Sequence, residues 1–576
     1  MARSSIMGPP EGRRAFFALV RVLAALLGTM FVLGALLYSF YLDYTDISPE
    51  EVSVSPQELV VDESGRRVQY GRSWLDRKGR LWHMHLEGSP EEIGDAHGRM
   101  AARLFRRIDD HTEQMLEQRF AAWLEPWAES TLLRWDYREA DSTALRSQDR
   151  RELAALAQGL PAIDEDGIGR YHRLFLYQCV FDLAERLDDV IIDGAMFAVA
   201  TRPRPNAPDA GNLVIGRTLT IDLATDRGGD FEADRVVSFY HPDGKYPFVS
   251  VGWAGMIGVV TGINARGIFV AANPARTDEP REEGVALPIV LRQILEEADT
   301  VDQAVAILES TDIRAPGIVL VGDGVKREAV VMEMAPRARE ENRLLRGDDE
   351  PVVWATNHMI REPFESDAQN DRIARTTSSG YRYDRLGELL ADTSKFDHER
   401  AVAVLRDRRG IDNEELGLGN RNALENMRTT HSVVIDATAM VMWVAEGPST
   451  LGRYRAFDLR HLLARQGSRP APLDDIEADR LLYSEEYKDY QEALREIEYS
   501  RHLLARGLHQ DALSSAHVAL ALAPDIGDLH RLLGDIERDL GHPEEAIEHY
   551  SRYIELVPGR HRDQEIVRGL IEELGG

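Results

Sequence analysis

A single cysteine, Cys179, stands in 576 residues. One thiol excludes a disulfide framework and a Cys-rich zinc site. It lies in YHRLFLYQCVFDLAERL, whose apolar spacing predicts a helix, so a buried, inert thiol is expected. Positive charge is scarce as well. The 68 Lys and Arg face 98 Asp and Glu, a net charge of −30, which disfavours nonspecific binding to nucleic acid or anionic lipid. No Gly-x-Ser-x-Gly elbow and no phosphate-binding loop occurs, so no nucleotide or other cofactor is expected. Residues 22–42, VLAALLGTMFVLGALLYSFYL, lack any charged side chain.

That uncharged run is the first positive signal. As a helix it would extend about 30 Å, the thickness of a hydrocarbon core. Arg13, Arg14 and Arg21 precede it, and Asp43, Asp46, Glu50 and Glu51 follow. The positive-inside rule leaves residues 1–21 in the cytoplasm and exports the rest. A cleavable signal peptide would have a shorter apolar region ending in small residues, whereas this one ends in aromatics, which favours an uncleaved anchor at 22–42.

The exported part is too long for one core. Residues 43–80 are polar and weakly patterned, and read as a stalk with a few short strands. A globular domain is expected over 81–463 and a Pro/Gly-rich linker over 464–483. Helices follow over 484–576. There Gly507 recurs as Gly541, Ala512 as Ala546 and Pro524 as Pro558, each 34 residues on. That period, with small residues at the helix crossing and Pro after the second helix, resembles the tetratricopeptide repeat. Stacked helix pairs of this kind either brace a neighbouring domain or offer a groove to a protein partner.

In LEGSPEEIGDAHGRMAARLF, residues 86–105, Ser89 and Glu92 form a capping box with Pro90 at the first helical position. His83 and His85 lie on one face of the strand before it. With no further ligand at metal spacing, a solvated strand face is expected rather than a metal site. His431 and Ser432 are adjacent on a predicted strand and point to opposite sides, so they cannot act together as base and nucleophile.

The opening segment resembles that of the penicillin acyltransferase family (isopenicillin-N acyltransferase type) of N-terminal-nucleophile hydrolases. ELAALAQGL (152–160), NLVIGRTLTID (212–222), FVSVGWAGMIGVVTGINARGIFVAANPA (248–275), GVALPIVLRQILEEADTVDQAVAIL (284–308), VVWATNHM (352–359) and THSVVIDATAMVMWVAEGP (430–448) resemble later parts of that family, in the same order. The resemblance implies a four-layer αββα sandwich. It also implies self-cleavage before a Cys, Ser or Thr, whose freed amine then serves as base. Arg217 matches the Arg beside the nucleophile, and Asn273 and Asn357 match residues suited to oxyanion or substrate-amide contacts. Asp193 and Gly194 resemble the residues before the cleaved bond, and His358 belongs to the Thr-Asn-His segment. Where the family carries Cys, this chain has Ala195, and Thr218 and Thr220 replace the Asn and Asp that follow the Arg. The implied role is a membrane-anchored domain that binds an acyl-amide or peptide-like ligand without turning it over. An active amidohydrolase or acyltransferase, and a repeat-based scaffold, are the alternatives.

Overall fold

The structure, a computed structural model, describes residues 11–44, 49–117, 145–161, 169–179, 181, 191–201, 211–222, 232–279, 283–346, 351–557 and 561–575. Residues 1–10, Asp46 and Pro558 lie outside them. Helix α1 (Glu11–Tyr44) contains the apolar run, and Leu19–Tyr41 is long and apolar enough to cross a membrane, with a mean hydropathy of 2.2. Length and composition alone support that statement.

Two sheets make up the α+β part. The larger has eleven strands in the order β1 (Leu59–Val61), β2 (Arg67–Tyr70), β3 (Ser73–Lys78), β4 (Leu81–Gly88), β7 (Arg235–Pro242), β8 (Phe248–Trp253), β9 (Thr261–Asn264), β10 (Ile268–Pro274), β11 (Gly317–Asp323), β12 (Glu328–Met334) and β13 (Arg339–Arg346). All its pairings are antiparallel except that of β4 with β7. The smaller has six strands in the order β14 (Val352–Ala355), β5 (Ile191–Ala200), β6 (Leu213–Asp222), β15 (His431–Asp436), β16 (Val441–Ala445) and β17 (Tyr454–Asp458).

Three apolar cores separate four layers. Helices α2 (Pro90–Glu117), α3 (Ser147–Gly159), α4 (Arg170–Gln178), α5 (Leu287–Glu297) and α6 (Val301–Ser310) belong with the outer face of the large sheet, through Leu104, Leu156, Leu291 and Val270. Met196, Ile215, Phe239, Ile318 and Val433 fill the space between the sheets. Phe197, Leu386, Phe396 and Leu405 cover the other face of the small sheet, beneath α8 (Ser378–Leu389) and α9 (His398–Leu405), with α7 (Ala368–Thr376) packed on α8. The expected αββα sandwich is therefore present.

Local chemistry explains the junction that begins it. Ser89 N–H donates to Glu92 Oε2 at 2.9 Å, and Glu92 N–H donates to Ser89 Oγ at 3.3 Å, closing the capping box at the start of α2. Gly94 and Gly98 then let α2 lie directly on α3: a Cβ at Gly94 would sit 2.1 Å from Glu152 O, and one at Gly98 2.5 Å from Leu156 O. Arg292 on α5 ties the same helices together, reaching Glu152 at 2.6 Å and Glu296 at 2.8 Å with all three side chains buried.

Two expectations require correction. The segment read as a stalk supplies β1–β3, and Trp74 and Leu75 there are buried, so the sheet begins upstream of Leu81. His83 and His85 are also buried rather than solvated. Strand β4 lies between a helix layer and the second sheet, so both of its faces are covered and every residue in it is buried.

After β17 come α10 (Leu459–Ala464) and five helices: α11 (Glu485–Ala505), α12 (His509–Leu522), α13 (Gly527–Leu540), α14 (Pro543–Leu556) and α15 (His561–Glu573). Neighbours pack as pairs, α11 on α12 and α13 on α14. Gly507 and Gly541 both end a helix with positive φ (74° and 81°), and Ala512 and Ala546 are both fully buried. The helices rest on the sandwich through its 406–430 segment, where Arg428 pairs with Asp528 at 3.0 Å and Asn420 donates to Leu556 O.

Candidate functional site

β5, β6 and the end of β14 bring four of the expected residues together against β10. Arg217 is paired with Met196 in the β5–β6 ladder, so its side chain points between the sheets as Met196 does. There Arg217 donates from Nε to Thr261 Oγ1 (2.6 Å), from Nη1 to Asn273 Oδ1 (2.6 Å) and from Nη2 to Ala272 O (2.5 Å). Asn273 Nδ2 donates to Thr356 O at 2.8 Å. Asn357 Oδ1 accepts the Gly194 N–H at 2.9 Å, and its Nδ2 donates to Pro274 O at 3.1 Å. Gly194, Arg217, Asn273 and Asn357 thus form one buried network. In this state both Asn amide groups give their protons to backbone carbonyls.

The other residues lie on its far side. Asp193 Oδ1 meets Arg382 Nη1 at 3.3 Å, and Arg382 Nη2 reaches Asn357 Oδ1 at 3.4 Å. His358 Nδ1 contacts Ser379 Oγ at 2.9 Å and Thr356 Oγ1 at 3.2 Å. Burial, helped by the Arg382 charge, pushes the His358 pKa down to about 4, so the ring is neutral near pH 7.

Ala195 does not occupy the position expected of it. Strand residues alternate in facing, and Ala195 sits with Phe197, Leu386 and Phe396 in the outer core, whereas Met196 is in the inter-sheet core. The position directed at Asn273 is Gly194. A Cβ there would lie 2.5 Å from Asn273 Oδ1 and 2.6 Å from Thr218 O. No Cys, Ser or Thr occurs anywhere in β5, IIDGAMFAVA, so the strand offers nothing to start self-cleavage at either register.

Sequence reasoning missed three participants. Thr261 links Arg217 to His431, whose Nε2 lies 3.0 Å from Thr261 Oγ1. Ser379 and Arg382 come from α8, which carries no motif. Ser379 and His358 resemble a nucleophile and base by distance alone. The Ser379 Oγ already accepts the Asn357 N–H at 2.9 Å, and a histidine with so low a pKa is a weak base at neutral pH. His431 and Ser432 do diverge as expected: Ser432 Oγ bonds Tyr454 OH at 2.7 Å.

Electrostatics single out Arg217. It is fully buried, its three acceptors are all neutral, and burial pulls its pKa down to about 9. Cys179 is buried, as expected. Among the described residues no group of three or more His, Cys, Asp or Glu could hold a metal ion.

An uncharacterized protein of Archaeoglobus fulgidus is 24% identical over 348 residues, covering 54% of this chain and 55% of its own length. The chain thus spans about half of that relative. Among solved structures, the N-acylethanolamine-hydrolyzing acid amidase ortholog of Caenorhabditis elegans aligns with 18% identity, 42% of this chain, 93% of that chain and a TM-score of 0.29. A mutant conjugated bile acid hydrolase from Clostridium perfringens gives 9% identity, 49% and 98% coverage and a TM-score of 0.31. Penicillin V acylase from Agrobacterium tumefaciens gives 13%, 47%, 78% and 0.23. Scores this low carry no argument about activity. The family match is direct: residues 229–449, which include Asn273, Asn357 and His431, match the model of the acyl-coenzyme A:6-aminopenicillanic acid acyl-transferase family.

Proposed function

We propose that this chain is a membrane-tethered, extracytoplasmic protein whose acyltransferase-family domain binds an acyl-amide or peptide-like ligand without turning it over. The reading rests on one observation. The strand position directed at Asn273 is Gly194, and a side chain there would collide with Asn273 and with the backbone of β6. A chain without a nucleophile at that point can make neither the acyl shift of self-cleavage nor an acyl-enzyme. Purified full chain should therefore migrate whole, near 64.8 kDa. It should also bind members of a panel of N-acyl amino acids and amides without product formation. Turnover abolished by Asn273→Ala or Asn357→Ala would instead establish an enzyme.

A working amidase is the second reading, and the Ser379–His358 contact of 2.9 Å favours it. A fluorophosphonate probe decides it: labelling lost in Ser379→Ala would identify a serine nucleophile. The helices over 485–573 support a tetratricopeptide-like array that braces the sandwich through Arg428 and Asn420, with any protein partner binding elsewhere on it.

A further inference from the structure

Helices α13 and α14 set two histidines face to face where the preceding helix pair makes an ordinary side-chain contact. Across the 34-residue step of the repeat, His530 and His549 correspond to Glu496 and Ser515. There α11 and α12 meet through a hydrogen bond, Ser515 Oγ donating to Glu496 Oε2 at 2.6 Å. In α13 and α14 the same place holds two imidazoles, with His530 Nδ1 3.1 Å from His549 Nδ1. The first pair packs without any imidazole, so helix packing does not require them here. The His530 ring is fixed from behind, its Nε2 lying 2.8 Å from Pro524 O. A carbonyl only accepts, so Nε2 carries the proton, and Nδ1 of the neutral ring is a lone pair aimed at His549. His530 is buried and His549 half-buried. Both open on a cavity of about 470 Å³ that Asp525, Glu548, Arg552 and Glu555 also line. Arg552 answers Asp525 at 3.0 Å and Glu555 at 2.9 Å, which leaves Glu548 as the carboxylate there with no ion pair among the described residues.

A hydrogen bond places one proton between two rings that can each offer a lone pair. A divalent ion of the zinc class, to which imidazole is suited, uses both lone pairs. Zinc held by two ring nitrogens at about 2.0–2.1 Å and a near-tetrahedral angle sets those nitrogens about 3.3 Å apart and the ring centres about 5.2 Å apart. Here the nitrogens are 3.1 Å apart and the ring centroids 5.3 Å. The rings therefore need only swing towards a common point, with both helices where they are. The bond from His530 Nε2–H to a backbone carbonyl is the outer contact that metal-bound histidines usually make. We propose that His530 and His549 form a binding site for a zinc-type divalent cation that clasps the second helix pair. On binding, the ion replaces the shared proton and His549 carries its proton on Nε2 instead, so none is released. No third His, Cys, Asp or Glu joins the two among the described residues, so water from the cavity holds the remaining positions. The site stands whether or not the network around Asn273 takes a ligand.

Zinc chloride alone, titrated calorimetrically into full chain in detergent, tests it. The native chain should bind zinc at this site, and His549→Gln, which removes one of two ligands, should lower the affinity by about tenfold or more. The double variant His530→Gln with His549→Ser copies the Glu496–Ser515 bond without its charge, so the helix pair keeps its contact while both imidazoles are gone. Zinc binding at this site should be lost in it. Magnesium, which prefers oxygen ligands, should not displace zinc from the native chain. In the native chain zinc should also shield His549 from diethylpyrocarbonate, read by peptide mass spectrometry, so a variant that fails to fold does not end the test. Zinc binding of native strength in the double variant places the ion elsewhere and overturns the site. Absence of binding to the native chain, or of shielding at His549, overturns it as well.

Discussion

Adding a methyl group at residue 194 and a sulfur at residue 195 should have very different consequences. In Gly194→Ala the new carbon meets Asn273 Oδ1 at 2.5 Å and Thr218 O at 2.6 Å. Asn273 can retreat only by giving up the Arg217 bond of 2.6 Å or its own bond to Thr356 O of 2.8 Å. Thr218 O belongs to the backbone of β6 and has little freedom. Overpacking costs about 1–3 kcal/mol and a lost charged hydrogen bond about 1.5–3 kcal/mol, so the variant should lose about 3–5 kcal/mol. Ala195→Cys instead adds one atom to the core of Phe197, Leu386 and Phe396 and should cost about 1 kcal/mol. Its thiol faces away from Asn273 and should not cut the chain. Urea midpoints followed by tryptophan fluorescence, with intact-mass analysis of each variant, read both effects. A Gly194→Ala chain as stable as the parent, or an Ala195→Cys chain that splits after Gly194, would refute the facing assigned to β5.

Three further outcomes are expected. Arg292→Met leaves Glu152 buried without its partner, while Glu296 keeps Arg146, and the urea midpoint should fall by the equivalent of about 3–5 kcal/mol; a change under 1 kcal/mol would mean the network is dispensable. His83 has no hydrogen-bond partner, and burial pushes its pKa down to about 3 from 6.5. The unfolded chain therefore takes up this proton first as pH falls below 6.5, and stability is lost progressively towards pH 3. His83→Leu should remove that loss and be more stable than the parent by about 2 kcal/mol at pH 5, measured against pH 7; parallel pH profiles of the two chains would contradict the assignment. Fusing a reporter active only outside the cytoplasm to Gly576 should give signal, and a silent fusion with an active cytoplasmic one would reverse the orientation of residues 22–42.

The sandwich was legible because its signals are local and ordered. The capping box at Ser89 follows from short-range chemistry and is found where expected. Burial was less legible. The two faces of β4 are indistinguishable when both are covered, so His83 and His85 gave no hint that they were interior. The strands at 59–78 are short, and only their pairing onto β4 makes them part of the sheet. At the site, Arg217, Asn273 and Asn357 were found from their motifs and do converge. Thr261, Ser379 and Arg382 were not, since nothing near them in sequence marks a contact made across layers. The misplacement of Ala195 has a similar cause. Counting along a motif gives a position, while a strand's two-residue period leaves open which of two neighbours faces the site until the partner strand is known. The ladder settles it: Met196 stands opposite Arg217, so Gly194 shares that face and Ala195 does not.

That facing also bears on why the site reads as a binding site and not as a remnant. Gly194 is the residue a nucleophile would have to replace, and the surrounding atoms leave no room for one. Without a ligand, the use left to Arg217 is its three hydrogen bonds to Thr261, Asn273 and Ala272. Replacing a buried, hydrogen-bonded ion by apolar groups of similar volume is often neutral or stabilising by about 1–4 kcal/mol. Yet Arg217 remains fully buried, with an unpaired His431 Nδ1 one residue contact away through Thr261. Arg217 is thus a buried charge held by three neutral acceptors, an arrangement that stability alone does not favour. Ligand binding, measured as stabilisation of the chain by members of the N-acyl amino acid and amide panel, is therefore the quantity on which the proposed reading turns.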